Sequence, residues 1–472
     1  MATQFKKTGL AVAIGAAALG LSAAANAVVV VGGDNGWEVS FDGNINAFYV
    51  NSSNDQGWDA LGLNAPASPD GGEGRTPGTF GTGNGTNISR VESGFLPAFF
   101  SFNVKSPTVN GMTGSARFSF APTINNSATK NQVYASNVLN PGNGNNGIQG
   151  ASIDTREVLV NLDGSFGTVS YGRTLSIFGR QAILHDMTLF GVGLANQSGS
   201  GVTNGRIGRG YTYPNFNARF SYKTPVFSGF QAEIGLYDPS VEQLNSGSGS
   251  GLLDKVDVPR FEGELNYNTA FTGGGVQFWF DGLWQDIAST RANVAQGAST
   301  NRGGETTVRA WGMGAEAKYM GFAMTGYYYD GQGLGRSLQF LGGTQCNTFA
   351  TTVGAQTVGA GSHCEAADDS GYYLQGTYTF LGKTKVGLSY GESREDAFAD
   401  PFVRQAGASN LGLRDARLSM WTVGVYHDVN SWLKLIAEYS NAKNNYSENV
   451  LTHSAGASTQ SDTFSIGSFF FW

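Results

Sequence analysis

The chain has 472 residues, with 69 glycines, 12% aromatic and only 14% charged residues, a mean hydropathy of −0.19 and a formal charge of −7. This is too polar for a bundle of membrane-spanning helices, and the acidic balance argues against nucleic acid as a partner. Abundant glycine and aromatic residues with few charges fit strands that meet lipid on one side and water on the other.

At the start of the chain Lys6 and Lys7 form a basic stretch, residues 9–21 are uncharged and largely apolar, and Ala25-Asn26-Ala27 is a small-x-small cleavage site. Residues 1–27 therefore read as a cleaved secretory signal peptide, with the mature chain starting at Val28. Without its two lysines the mature charge is about −9. The apolar stretch is too short to span a bilayer as a helix, and no later run reaches about 18 apolar residues.

From there apolar alternation, bounded by Gly, Pro, Asn and Asp, predicts sixteen strands. They fall near 37–50, 91–105, 111–121, 154–163, 166–173, 211–224, 229–238, 259–269, 274–287, 305–319, 321–331, 370–380, 383–392, 414–429, 431–443 and 461–472. Their connections alternate between long and short, as in a barrel with tight periplasmic turns and long external loops. In the sixth strand Thr212, Pro214, Phe216, Ala218, Phe220 and Tyr222 share one face, and Asn215, Asn217, Arg219, Ser221 and Lys223 the other. The first set is expected to meet lipid and the second water. Tyr319, Tyr378, Trp432 and Tyr439, near strand ends, suit interfacial girdles.

The final strand places Phe464, Ile466, Ser468, Phe470 and Trp472 on alternate positions and stops on an aromatic residue. It resembles the C-terminal assembly signal of the Gram-negative general porins. Phe166-Gly167-Thr168-Val169-Ser170-Tyr171-Gly172-Arg173 is similar to their fifth-strand motif, and Tyr213-Pro214-Asn215-Phe216 with Pro225-Val226-Phe227-Ser228-Gly229-Phe230 to their next hairpin. The resemblance implies an all-β fold: a sixteen-stranded outer-membrane barrel over 28–472, assembled as a homotrimer, with the third long loop folded inward. It also implies the barrel assembly machinery, membrane lipids and lipopolysaccharide as partners, small hydrophilic solutes and ions as cargo, and no cofactor. Residues 174–210 stand where the constriction loop should be, but lack the Pro-Glu-Phe-Gly-Gly type motif of enteric relatives.

That loop carries Arg180, Arg206 and Arg209 against Asp186. Alternation turns Arg117, Arg219, Lys223 and Arg260 inward from the wall, together with Glu157, Glu233, Glu262, Glu264, Asp281 and Glu316, and Arg173 at the head of the loop joins the pore-lining candidates. The basic loop leans selectivity towards anions against an acidic wall, so replacing Arg180 and Arg206 by Ala is expected to move the reversal potential towards cations. Cys346 and Cys364, the only cysteines, fall in one external loop and are expected to oxidise to a disulfide; zinc is disfavoured, with only His363 nearby. His185-Asp186 near Ser176 is the sole grouping resembling a catalytic set, and Glu395-Asp396 and Asp368-Asp369 are sites where divalent cations could sit, although solvated loop charge is favoured. Inward Tyr327, Tyr329 and Tyr373 leave a substrate-specific channel as an alternative, and a barrel enzyme or adhesin stands behind it.

Overall fold

The computed structural model describes residues 28–32, 35–54, 88–125, 153–195, 202–239, 253–255, 258–289, 305–335, 337, 339–340, 343–353, 356–399, 415–448 and 456–472. The leader at 1–27 and the glycine-rich tips at 141–150 and 247–251 lie outside them.

Sixteen antiparallel staves close into a barrel: β1 (Glu38–Asn54), β2 (Ile88–Glu92 and Phe99–Lys105), β3 (Thr113–Pro122), β4 (Ile153–Gly164), β5 (Gly167–Leu175), β6 (Phe216–Lys223), β7 (Phe230–Tyr237) and β8 (Arg260–Phe271) make one half. The other half is β9 (Gly274–Ser289), β10 (Glu305–Tyr319), β11 (Phe322–Gln332), β12 (Asp368–Phe380), β13 (Thr384–Glu395), β14 (Ala416–Asp428), β15 (Leu433–Tyr446) and β16 (Ala457–Phe471). Each stave pairs with its successor, and β16 returns to β1 in register from Asn44↔Phe471 to Asn54↔Ser461. Gly43 and Trp472 then exchange both backbone hydrogen bonds at 3.2 Å. Closure matters because an open edge in hydrocarbon would leave backbone donors and acceptors without partners.

Alternation sets the faces as the sequence implies. On β6, Phe220 and Tyr222 are exposed outside while Arg219 and Ser221 are buried inside. Phe278, Phe280 and Trp284 on β9 point out, with Asp281 and Gln285 in; on β16, Phe464, Ile466 and Phe470 point out, with Ser465 and Phe469 in. Large apolar side chains exposed over so much of the circumference are stable against lipid and not against water. Aromatic neighbours reinforce the belt near the turns, with ring centroids 4.3 Å apart for Phe322 and Tyr378 and 5.6 Å for Trp432 and Phe470.

Two staves depart from expectation, and both for the same reason. β6 starts at Phe216 and not near 211, so Thr212 and Pro214 are buried and do not face lipid. Residues 211–214 belong instead to the inward loop: the Tyr211 hydroxyl donates to Asp186 Oδ2 at 2.8 Å, and the Tyr213 N–H donates to the Ser337 carbonyl at 2.6 Å. β2 breaks between Glu92 and Phe99 because that stretch leaves the wall to meet the same loop; the Phe95 N–H donates to the Gly191 carbonyl at 2.8 Å and that of Leu96 to Leu189 at 3.1 Å.

The long connection between β11 and β12 folds into a hairpin, Thr344–Val353 against Gln356–Ala366, where a loop was expected. Cys346 and Cys364 are direct partners in its register, and Cys364 is disulfide-bonded. Cross-linking a loop of this length is worth on the order of 3 kcal/mol in the chain-entropy model. Alkylation after reduction should add the mass of two blocking groups, and without reduction none, while the barrel remains heat-modifiable; equal masses in both would show free thiols.

Candidate functional site

The chain leaves β5 after Leu175 and turns into the lumen. There it forms α1 (Arg180–His185) and a 3₁₀ turn (Met187–Phe190), and residues 206–210 lie against the wall, with Arg206 donating to the Met420 carbonyl and the Gly210 N–H to the Ser393 hydroxyl. Gly179 precedes α1 in a left-handed conformation (φ +77°), which glycine adopts without steric cost. Ile177, Phe178, Ala182, Ile183, Met187 and Leu189 are all buried. All but Ile177 pack into a cluster with inward-facing Trp279, Tyr327, Tyr373, Tyr426 and Phe469. These aromatic residues break the polar-inside rule where the loop covers them, and burying each such side chain contributes roughly 1.5–3 kcal/mol. Tyr327, Tyr329 and Tyr373 are therefore under the loop and do not form a free aromatic slide.

Wall carboxylates fasten this segment by accepting its backbone N–H groups. Glu262 Oε2 accepts from Ile177 (2.8 Å) and Phe178 (2.9 Å), Asp281 Oδ2 from Gly179 (3.0 Å), and Glu438 Oε2 from Val192 (2.7 Å) and Gly193 (2.9 Å). Gln375 clasps the middle, accepting from the Met187 N–H at 2.6 Å and donating to the His185 carbonyl at 3.0 Å. Tyr373 donates to the Ala182 carbonyl at 2.9 Å.

The loop arginines turn to the wall as well. Arg180 bridges Glu233 (3.0 Å) and Glu264 (2.8 Å), and the two carboxylates hold its guanidinium pKa above the usual value against the opposing effect of burial. Arg206, fully buried, approaches Asp186 at 3.8 Å and donates to Ser389 and, at 2.8 Å, to the Met420 carbonyl. Arg209, also buried, donates to Asn444 at 2.8 Å. From the wall, Arg219 reaches Glu233 at 3.1 Å, and Arg260 meets Glu262 at 3.0 Å while stacking over Tyr237 at 4.6 Å. These arginines are fixtures between loop and wall, and the three-to-one basic excess of the loop is not presented to the lumen.

A second polar cluster stands on β1 to β4. Arg117 bonds Asp42 (2.9 Å) and Glu157 (2.8 Å) and also donates to Ser101 and Asn103, both at 2.8 Å. Its side chain is 17% exposed, more open to water than the buried loop arginines, and two carboxylates flank the single cation. Lys223 is half-buried on the inner face of β6, and Glu316 binds Lys318 and lies 3.6 Å from His185. Arg173 corrects the pore-lining expectation. It is exposed at the same parity as outward Tyr171, whereas Ser170 and Thr174 point inward to Asn161 and Glu157.

The residues of the catalytic-looking grouping have separate partners. His185 stacks on Trp279 at 4.8 Å, Asp186 receives Tyr211 and Thr188, and Ser176 accepts from Asn217. Asp369 accepts the Leu334 N–H at 2.7 Å and faces Glu395 across the ladder, so this acidic pair serves the loop above β11. Asp42, Glu438 and Gln375 were missed in the sequence, although their inward parity matches that of the acids that were named.

A family model described as Gram-negative porin matches residues 10–447. No curated protein matches by sequence. Among solved structures, the outer membrane channel DcaP of Acinetobacter baumannii shares 12% identity at a TM-score of 0.55, covering 94% of this chain and 100% of that one. The anion-selective porin of Comamonas acidovorans shares 13% identity at a TM-score of 0.51, covering 92% and 100%. At these identities the likeness is one of fold.

Proposed function

This chain belongs to the Gram-negative porin family and forms a passive outer-membrane channel, and from that premise we propose that residues 174–210 are its constriction and that ions and small hydrophilic solutes pass between this loop and the Arg117 cluster. The observation carrying the proposal is the fastening of the loop to wall carboxylates at Glu262, Asp281 and Glu438, which holds it across a lumen wide enough for water in a sixteen-stranded barrel. Residues 1–27 act as a cleaved export signal, and 28–472 form one barrel domain. Phe464, Ile466, Phe470 and Trp472 serve as the assembly signal, and the mature barrel works as a homotrimer among lipopolysaccharide and phospholipid. It carries no catalytic function. Selectivity is weak, because the lumenal charges are cross-paired; the anion selectivity in the name of the Comamonas acidovorans porin does not carry over to a loop whose arginines are buried. Single-channel conductance of refolded protein in a planar bilayer tests this reading. Stable steps grouped in threes with a reversal potential near zero are expected. Silence from protein that is still heat-modifiable would mean a plugged barrel and favour an adhesin.

A further inference from the structure

At the end of the barrel opposite the long loops, the tight turns are apolar at their tips. Val109, Phe166, Phe227, Met320, Leu381 and Trp432, each from a different one of the seven turns, and Phe271 at the end of β8 just before the remaining turn, are all exposed large hydrophobics. The usual order along a barrel wall is apolar belt, aromatic girdle, polar turn. Here Met320 and Leu381 lie beyond Tyr319 and Phe380, past the point where polarity should begin.

Backbone conformation sharpens the anomaly. Met320-Gly321 (φ +46°, +89°) and Leu381-Gly382 (φ +50°, +68°) have two successive left-handed residues, the signature of a type I′ turn whose first central position normally holds Asn, Asp or Gly. A left-handed L-residue is strained. No side-chain packing offsets that strain at Leu381, which is 100% exposed, and little does at Met320, which is 67% exposed and whose N–H donates to the Gly273 carbonyl at 3.0 Å. Transfer of the Leu or Met side chain to an apolar medium would.

We infer that these tips are themselves inserted at the headgroup–acyl boundary of the phospholipid leaflet, so that this end of the barrel is flush with the membrane. Two features favour lipid over a protein partner. The tips continue the lipid-facing belt, and they recur from turn to turn; outside the sector that faces the neighbouring subunits of the proposed homotrimer, the surrounding bilayer touches them all, whereas a single protein partner would cover one sector.

The inference rests on the barrel's membrane placement, and the test separates the two. Single Cys replacements at Leu381, at Met320 and, within the belt on β9, at Phe278 are labelled with a nitroxide in refolded full-length protein, in phosphatidylethanolamine and phosphatidylglycerol vesicles. Collision with oxygen, which partitions into lipid, is compared with collision with a water-soluble nickel chelate. Oxygen is expected to dominate at all three sites. Dominance of the chelate at Leu381 and Met320, with oxygen still dominant at Phe278, would overturn the inference alone and leave the tips to a periplasmic protein. Chelate dominance at Phe278 would overturn the membrane placement and the inference with it.

Discussion

Glu262→Ala is expected to release the constriction loop at its first anchor, giving larger and noisier single-channel steps. The carboxylate accepts two consecutive N–H groups, at 2.8 and 2.9 Å, and faces Arg260 at 3.0 Å, with both side chains fully buried. The Arg260 contact is a charge pair more than an aligned hydrogen bond, for its Nε and Glu262 Oε1 meet no hydrogen-bond geometry. Removing one partner of a buried pair costs about 3–5 kcal/mol, and the Phe178 N–H left without an acceptor adds about 1–3 kcal/mol, while the Ile177 N–H keeps the Tyr237 hydroxyl at 2.9 Å. Local packing of Ile177 and Phe178 cannot match that sum, whereas the barrel ladder can survive it. Glu262→Gln keeps an acceptor and loses the charge, so its steps should fall between those of Glu262→Ala and the parent. Asp281→Asn, which touches a single N–H, should have the smaller effect. Steps of parental size and noise in Glu262→Ala would show that the loop does not depend on this anchor.

The second large effect is expected at the Arg117 cluster. Asp42→Asn combined with Glu157→Gln leaves Arg117 as an unopposed cation on the wall, and the reversal potential under a salt gradient should shift towards anions. A unit charge 5 Å from a permeating ion is worth about 0.8 kcal/mol in water before screening, so a few-fold change in permeability ratio is anticipated at low salt and less at high salt. Arg117→Ala should shift it the other way. Arg206→Ala, in contrast, opens a hole between loop and wall and should alter conductance noise more than selectivity, because its guanidinium never meets the lumen. If Arg206→Ala moved the reversal potential further than Arg117→Ala, the basic-loop account of selectivity would stand and the present one would fall.

Much of the barrel was legible because lipid imposes period two. Strand 305–319 was read to the residue, and the outward set on β16 follows directly from Phe464, Ile466 and Phe470. The inward faces of β11 and β12 were harder. Tyr327, Tyr329 and Tyr373 looked like lumenal aromatics but are part of the floor on which the loop packs. Nothing local to a strand says whether an inward tyrosine meets water or another segment of the chain. β6 was overextended for the same reason, since alternation ran on through Tyr211 and Tyr213, which the loop had already taken.

The sequence by itself determined the number of staves, which face of each meets lipid, and the closing aromatic strand, because a barrel wall is a local rule repeated against a uniform solvent. Tertiary structure alone decided what the charges do. Arg180 with Glu233 and Glu264, Glu262 with Ile177, and Glu438 with Val192 join residues 53 to 246 positions apart. Whether a guanidinium steers ions or holds a loop depends on whether a carboxylate reaches it before water does, and no alternation along a single strand records that distance.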